Sequence, residues 1–252
     1  MSGTVHVINN NGISEIVFFH PQSNSLPGDL LRKLAGEIEK AGKDSEIKVI
    51  VLSSEGEKAF CAGASFDELI SIKTIEEGKI FFSGFASVIN AMRKSPKFII
   101  VRVQGKAVGG GVGLACAGDI TFAHESASVK LSELAVGIGP FVVGPAVERK
   151  IGKAAFSELT INATEWKSAS WAKEKGMFAE VYSSIPELDA AIKSLTEKLV
   201  LSNPEAMLSL KNIFWEGTDD WDTLLNKRAE ISGKLVLSEF TRRAIEKFKK
   251  DR

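Results

Sequence analysis

With 252 residues, 44% of them hydrophobic and 25% charged, the chain has the make-up of a globular protein able to bury a sizeable core. Lys and Arg together number 32, as do Asp and Glu, and this balance excludes the broad basic face that a general nucleic-acid binder needs. The N-terminal MSGTVHVINNNG has no basic-then-apolar leader, and no apolar run approaches the roughly 20 residues of a membrane span. The 2 cysteines, Cys61 and Cys116, fit a reducing compartment, so a cytoplasmic protein with neither nucleic-acid nor membrane partners is expected.

In chain order, residues 5–8 and 14–19 read as a hairpin around Asn10-Asn11-Gly12. Residues 28–42 place Leu30, Leu31, Leu34, Ile38 and Ala41 at helical spacing, and 49–52 form a fully apolar strand. The stretch 59–66 leads into a helix start at Asp67-Glu68-Leu69, and 80–92 is a second amphipathic helix ending near Ser95-Pro96. Residues 99–103 read as a strand, followed by a turn at Gln104-Gly105-Lys106. Gly109, Gly110, Gly111 and Gly113 come next, and a helix through Leu114-Ala115-Cys116-Ala117 stops at Gly118-Asp119. The glycines thus sit where a strand hands over to a helix. The first N–H groups of that helix lack internal partners and carry the positive end of its dipole. A pocket there would hold a full or partial negative charge, with no Cβ to keep a ligand from the backbone.

Beyond this unit, 120–123 and 128–131 read as strands, and 132–141 as an apolar loop holding one acid, Glu133. A helix starts at 145–150, two more cover 154–162 and 167–176, and 178–182 is a strand. From Ile185 the pattern is helical only, over 187–201, 204–214 and 222–250. The chain therefore divides into a β/α core over 1–183 and a helical region over 184–252, with a unit of strands then helix recurring near 5–41, 47–92 and 99–118. His6, His20 and His124 are too scattered for a metal site, and none is expected. Cys61 reads as a small buried hydrophobe.

Four stretches, in order, resemble the crotonase superfamily, the enoyl-CoA hydratase/isomerase family. Asn24-Ser25-Leu26 is similar to its N-A-L, and Ala59-Phe60-Cys61-Ala62-Gly63-Ala64 to its A-F-C-A-G-A. Gly109-Gly110-Gly111 with Gly118-Asp119-Ile120 resembles its G-G-G and C-D-I, and Ser132-Glu133-Leu134 with Gly137 and Pro140 its P-E and G-x-x-P. The resemblance implies a fold of α/β class, a spiral of β-β-α units followed by a C-terminal helical trimerisation region, assembled as a homotrimer or hexamer. It implies an acyl-CoA thioester as ligand, with coenzyme A as part of the substrate and no permanently bound cofactor. It further implies an oxyanion hole of two backbone N–H groups, mapped to Ala62 and Gly110. Gly63, Ala64, Ser65, Gly109 and Phe141 join these as substrate-binding positions, and Glu133 is the catalytic acid.

Three departures bear on the reaction. Family hydratases carry a second carboxylate on the helix after G-G-G, where this chain has Gly113, read as making room for substrate. Their Pro-Gly-Ala-Gly-Gly loop is here Pro140-Phe141-Val142-Val143-Gly144, and the Asp expected after A-G-A is Ser65, with Asp67 as a nearby substitute. One carboxylate suits a proton shuttle better than addition of water, so Δ3-Δ2 enoyl-CoA isomerisation is the expected activity. Hydration, another crotonase reaction such as decarboxylation, and acyl-CoA binding without catalysis are the alternatives. Arg242, Arg243, Lys247, Lys249 and Lys250 read as a solvated helix face, with contact to CoA phosphates as the other reading. A dinucleotide site fits poorly, because the glycines lack G-x-G-x-x-G spacing.

Overall fold

After a first hairpin and helix, each of the next three coils of the chain contributes one strand to each of two sheets and then runs into helix. A computed structural model describes residues 3–250, without the side chains of 248–250. Strands β1 (Thr4–Asn10) and β2 (Ile13–Phe19) form the expected hairpin, with Asn11 and Gly12 at positive φ in the turn, and α1 (Gly28–Lys43) follows. The next coil is β3 (Val49–Ser54), β4 (Ala59–Cys61), α2 (Phe66–Ser71) and α3 (Ile75–Lys94). The third is β5 (Phe98–Val103), β6 (Lys106–Val108) and α4 (Gly110–Ala117). The fourth is β7 (Ile120–His124), β8 (Ser128–Lys130), a 3-10 turn (Glu133–Val136) and α5 (Gly144–Ile161), which kinks at Gly152. Then come β9 (Lys167–Ser168), α6 (Ala169–Glu174) and β10 (Glu180–Tyr182), and the helical region α7 (Ile185–Val200), α8 (Pro204–Phe214), α9 (Trp221–Leu235) and α10 (Glu239–Lys250).

The larger sheet runs β1-β2-β3-β5-β7-β10 and is parallel after the first hairpin. Its central strands are buried on both faces, which is why 49–52 and 99–101 read as unbroken apolar runs rather than alternating ones. The smaller sheet runs β4-β6-β8-β9, with β4, β6 and β8 parallel. Of the short strands of this sheet, β8 falls where 128–131 reads as a strand, but β4 and β6 were not legible: they span 3 residues each, too few to show a period, and 104–106 reads as a turn. Helix α3 starts at Ile75 rather than 80 because the Thr74 hydroxyl caps the Glu77 N–H. The stretch 222–250 is two helices, broken at 236–238 where Ser238 starts a new turn by accepting from the Thr241 N–H.

The helical region is tied to the core at one buried acid. Asp119 accepts from Lys211 Nζ at 2.6 Å, Trp215 Nε1 at 2.9 Å and the Ile99 N–H at 2.7 Å. Helices α3 and α9 meet where Gly78 and Gly233 touch: a Cβ on Gly78 would lie 2.7 Å from the Gly233 Cα. Among the described residues no helix is long and apolar enough to cross a membrane.

Candidate active site

Because β4, β6 and β8 are parallel neighbours, they end side by side, and the three loops that follow lie at one edge of the smaller sheet. These loops carry 62–65, Gly109-Gly110 and 131–133, most of the residues singled out from the sequence.

The first loop is held from below by Asn24, whose Nδ2 donates to the Glu55 and Ala59 carbonyls at 2.8 and 2.9 Å. Leu26 then bridges to Ala64, with the Leu26 N–H on Gly63 O at 2.8 Å and the Ser65 N–H on Leu26 O at 3.3 Å. This pattern uses the amides on either side of the bridge and leaves over the N–H of Ala64, which no acceptor takes among the described residues. Ser65 is buried and caps α2, its Oγ accepting the Glu68 N–H. Gly63 has φ +89°, and a Cβ there would stand 3.0 Å from Val108 O and 3.6 Å from the Gly110 nitrogen, so the first and second loops are in contact.

In the second loop, the Gly109 N–H donates to Lys130 O at 2.9 Å, and Gly110 opens α4. As the first helical residue, Gly110 has no intrahelical acceptor for its N–H. The three glycines are each pressed by a different neighbour. A Cβ would lie 2.8 Å from Glu133 Oε1 at Gly109, 2.2 Å from the Phe85 ring at Gly110 and 2.4 Å from Cys61 O at Gly111. Close packing by itself thus accounts for glycine at all three positions.

Glu133 begins the 3-10 turn of the third loop and lays its carboxyl against Gly109. Its Oε2 is sealed from solvent and has no hydrogen-bond partner. Desolvation holds the ionised form at a disadvantage and pushes the pKa up to about 7. A carboxyl that titrates near neutrality can both take and return a proton at little cost. Among the described residues no group of His, Cys, Asp or Glu could hold a metal ion. Cys61 and Cys116 are buried and free, and burial pushes both thiols up to about 12, which makes them poor nucleophiles.

The sequence profile of the Enoyl-CoA hydratase/isomerase family matches residues 8–249. The chain belongs to this family. It is 30% identical over 227 residues to the short-chain-enoyl-CoA hydratase of Clostridium acetobutylicum, covering 89% of this chain and 86% of that one. It is 32% identical over 200 residues to the mitochondrial methylglutaconyl-CoA hydratase of Rattus norvegicus, covering 78% of this chain and 63% of that one. The fold is that of an enoyl-CoA hydratase crystal structure from Bacillus halodurans, with TM-score 0.89 and 20% identity over 96% of this chain and 99% of that one.

Within the family frame, several expectations change. Ala62 is not available as an oxyanion donor: its N–H is already given to Ser23 O at 3.1 Å. The amide left free in that loop is that of Ala64. Nor does Gly113 leave room for substrate, since a Cβ there would lie 2.6 Å from Val143 Cγ1, and Val143 is 4% exposed. The Phe141 ring folds back over Gly139 of its own loop, and the Phe141 carbonyl accepts from Arg228 Nη1 at 3.3 Å. Asp67 accepts from Gln22 Nε2 at 2.9 Å on the surface. In α10, Arg242, Arg243 and Lys247 are exposed and Arg243 pairs with Glu239, while the side chains of Lys249 and Lys250 lie outside the described residues. Spacing revealed neither Val143, which closes the Gly113 position, nor Thr241, which reaches the 3-10 turn from α10.

Proposed function

We propose that the chain is an acyl-CoA isomerase that moves a double bond from the 3- to the 2-position of an enoyl thioester. The thioester oxygen accepts the N–H groups of Ala64 and Gly110, an arrangement in which one donor is worth about 3 kcal/mol. The Glu133 carboxylate takes a proton from C2, the resulting dienolate keeps its charge on the thioester oxygen between the two amides, and the Glu133 carboxyl returns the proton to C4. The C2–H bond is broken, a C4–H bond is formed, and the enzyme ends as it began.

One observation carries this choice: Glu133 stands alone with a pKa near neutrality, and the place one helical turn along α4, at Gly113, is filled by Val143. A second reading, hydration, is favoured by the printed names of the relatives, which are hydratases. Hydration needs a held water and a second proton-transfer group, and Val143 takes the space where either would sit. Two assays separate them. Isomerisation of a 3-enoyl-CoA adds conjugated thioester absorbance, and hydration of crotonyl-CoA removes it. Rapid crotonyl-CoA hydration with no 3-enoyl turnover would overturn the isomerase reading. Assembly as a trimer or hexamer is part of the same proposal, supported by the exposed Leu208, Leu210, Ile213 and Phe214 of α8.

A further inference from the structure

We propose that Thr241 and Ser238, at the start of the C-terminal helix α10, are positioning residues that hold the Glu133 carboxyl against the N-terminus of α4. This rests on Glu133 being the proton carrier. Among the described residues no side chain hydrogen-bonds the carboxyl: its Oε2 has no partner, and its hydrogen bond is to its own backbone. Its place is therefore set by the backbone of the turn that bears it. That turn closes on Gly137, at φ +81°, whose N–H reaches back to the Leu134 and Glu133 carbonyls, while the Ile138 N–H donates to Glu133 O at 3.0 Å. Any shift at Gly137 passes directly into the Glu133 peptide.

Among the described residues, one hydrogen bond reaches 132–138 from another element, and it comes from α10. The Thr241 hydroxyl donates to Gly137 O at 3.2 Å. Thr241 is 0% exposed, and its neighbours leave its protons no choice. The Thr241 N–H donates to Ser238 Oγ at 3.2 Å, and the Ser238 hydroxyl donates to Thr241 Oγ1 at 3.1 Å, so the Thr241 proton points to Gly137. The contact is also tight: a Cβ on Gly137 would lie 2.5 Å from the Phe240 ring and 2.6 Å from Thr241 Oγ1. The helical region at the end of the chain thus reaches the catalytic acid through one directed hydroxyl relay, more than 100 residues apart in sequence.

The test uses the full chain and Thr241→Val, which keeps the shape and removes the donor, with Thr241→Ser as the conservative control. For a 3-enoyl-CoA substrate, kcat should fall about tenfold with KM within twofold, the pH midpoint of kcat should move, and Thr241→Ser should restore both. The pH dependence of unfolding gives a readout independent of activity: in Thr241→Val, the pH window over which stability falls should narrow from its upper end, because a loosened carboxyl gains water. Unchanged kcat and an unchanged window would overturn the proposal, as would a kcat loss that Thr241→Ser does not reverse. A fully active Glu133→Gln protein would instead overturn the assignment of Glu133, and the unfolding readout would still decide whether Thr241 holds the turn.

Discussion

Replacing Glu133 by Gln should abolish isomerisation and at the same time make the protein more stable above neutral pH. The folded state holds the Glu133 proton more tightly than the unfolded state, with a pKa raised from 4.5 to about 7. Stability from this group is therefore full below about pH 4.5, is lost progressively as pH rises to about 7, and is absent above that. At about 1.4 kcal/mol per pK unit, the ionised, desolvated carboxylate costs the folded state about 3 kcal/mol at pH 8. Gln has the same shape and no charge, so the variant should lack this pH dependence. For a chain of this size the gain at pH 8 corresponds to roughly 6–12 °C in Tm, with little difference at pH 4.5. Urea unfolding of both proteins at pH 5 and pH 8 measures it. If the variant is no more stable than the parent at pH 8, the carboxyl is not desolvated as described, and the account of its reactivity fails with it. Gained stability with lost turnover is the mark of a group kept for chemistry at the expense of the fold.

Activity of the parent should rise with pH through about 7 and then level, because the carboxylate must be ionised to take the C2 proton; a pH–kcat/KM profile for a 3-enoyl-CoA reads this. An ester in place of the Ala64 amide, which removes the N–H and weakens Gly63 O as the acceptor for Leu26, should lower kcat by about 10²–10³. The same change at Ala62 should cost about 1 kcal/mol of stability in urea through the lost bond to Ser23, and leave turnover intact. Gly113→Ala should destabilise by about 1–3 kcal/mol despite better helix propensity, because its Cβ meets Val143, and Val143→Ala should relieve most of that loss. Lys211→Met should cost about 3–5 kcal/mol in urea unfolding by leaving Asp119 charged and unpaired in the core. Light scattering should give a mass of three or six 27.2 kDa chains if the α8 face is covered by other copies.

What could be read without coordinates was whatever has a period or a punctuation mark. The apolar run at 99–101 and the glycines after it carry local chemistry, and they form the strand and the helix start expected, whereas the start of α3, capped by Thr74, lies five residues ahead of the expected one. Strands of three residues have no period, so β4 and β6 of the smaller sheet were missed and only β8 was expected, although this sheet aligns the site. Which amide of 62–65 is free is decided by the pairing of Leu26 with Ala64, a contact between distant segments. Likewise the fate of the space at Gly113 depends on Val143, thirty residues away, and glycine alone says only that something comes close. The break before α10 did leave a trace, since Ser238 is a good N-cap residue inside a stretch read as one helix.

The three loops at the edge of the smaller sheet come from three successive coils, and each runs from a strand of that sheet into the helical part of its coil. A coil can therefore lengthen or shorten its helical excursion without altering where its loop emerges. Under the proposed function, variation in the excursions would reshape the walls that meet an acyl chain, while the Ala64 and Gly110 amides and Glu133 stay in register. Diversity of substrate on a constant reaction centre is what such a division of labour permits.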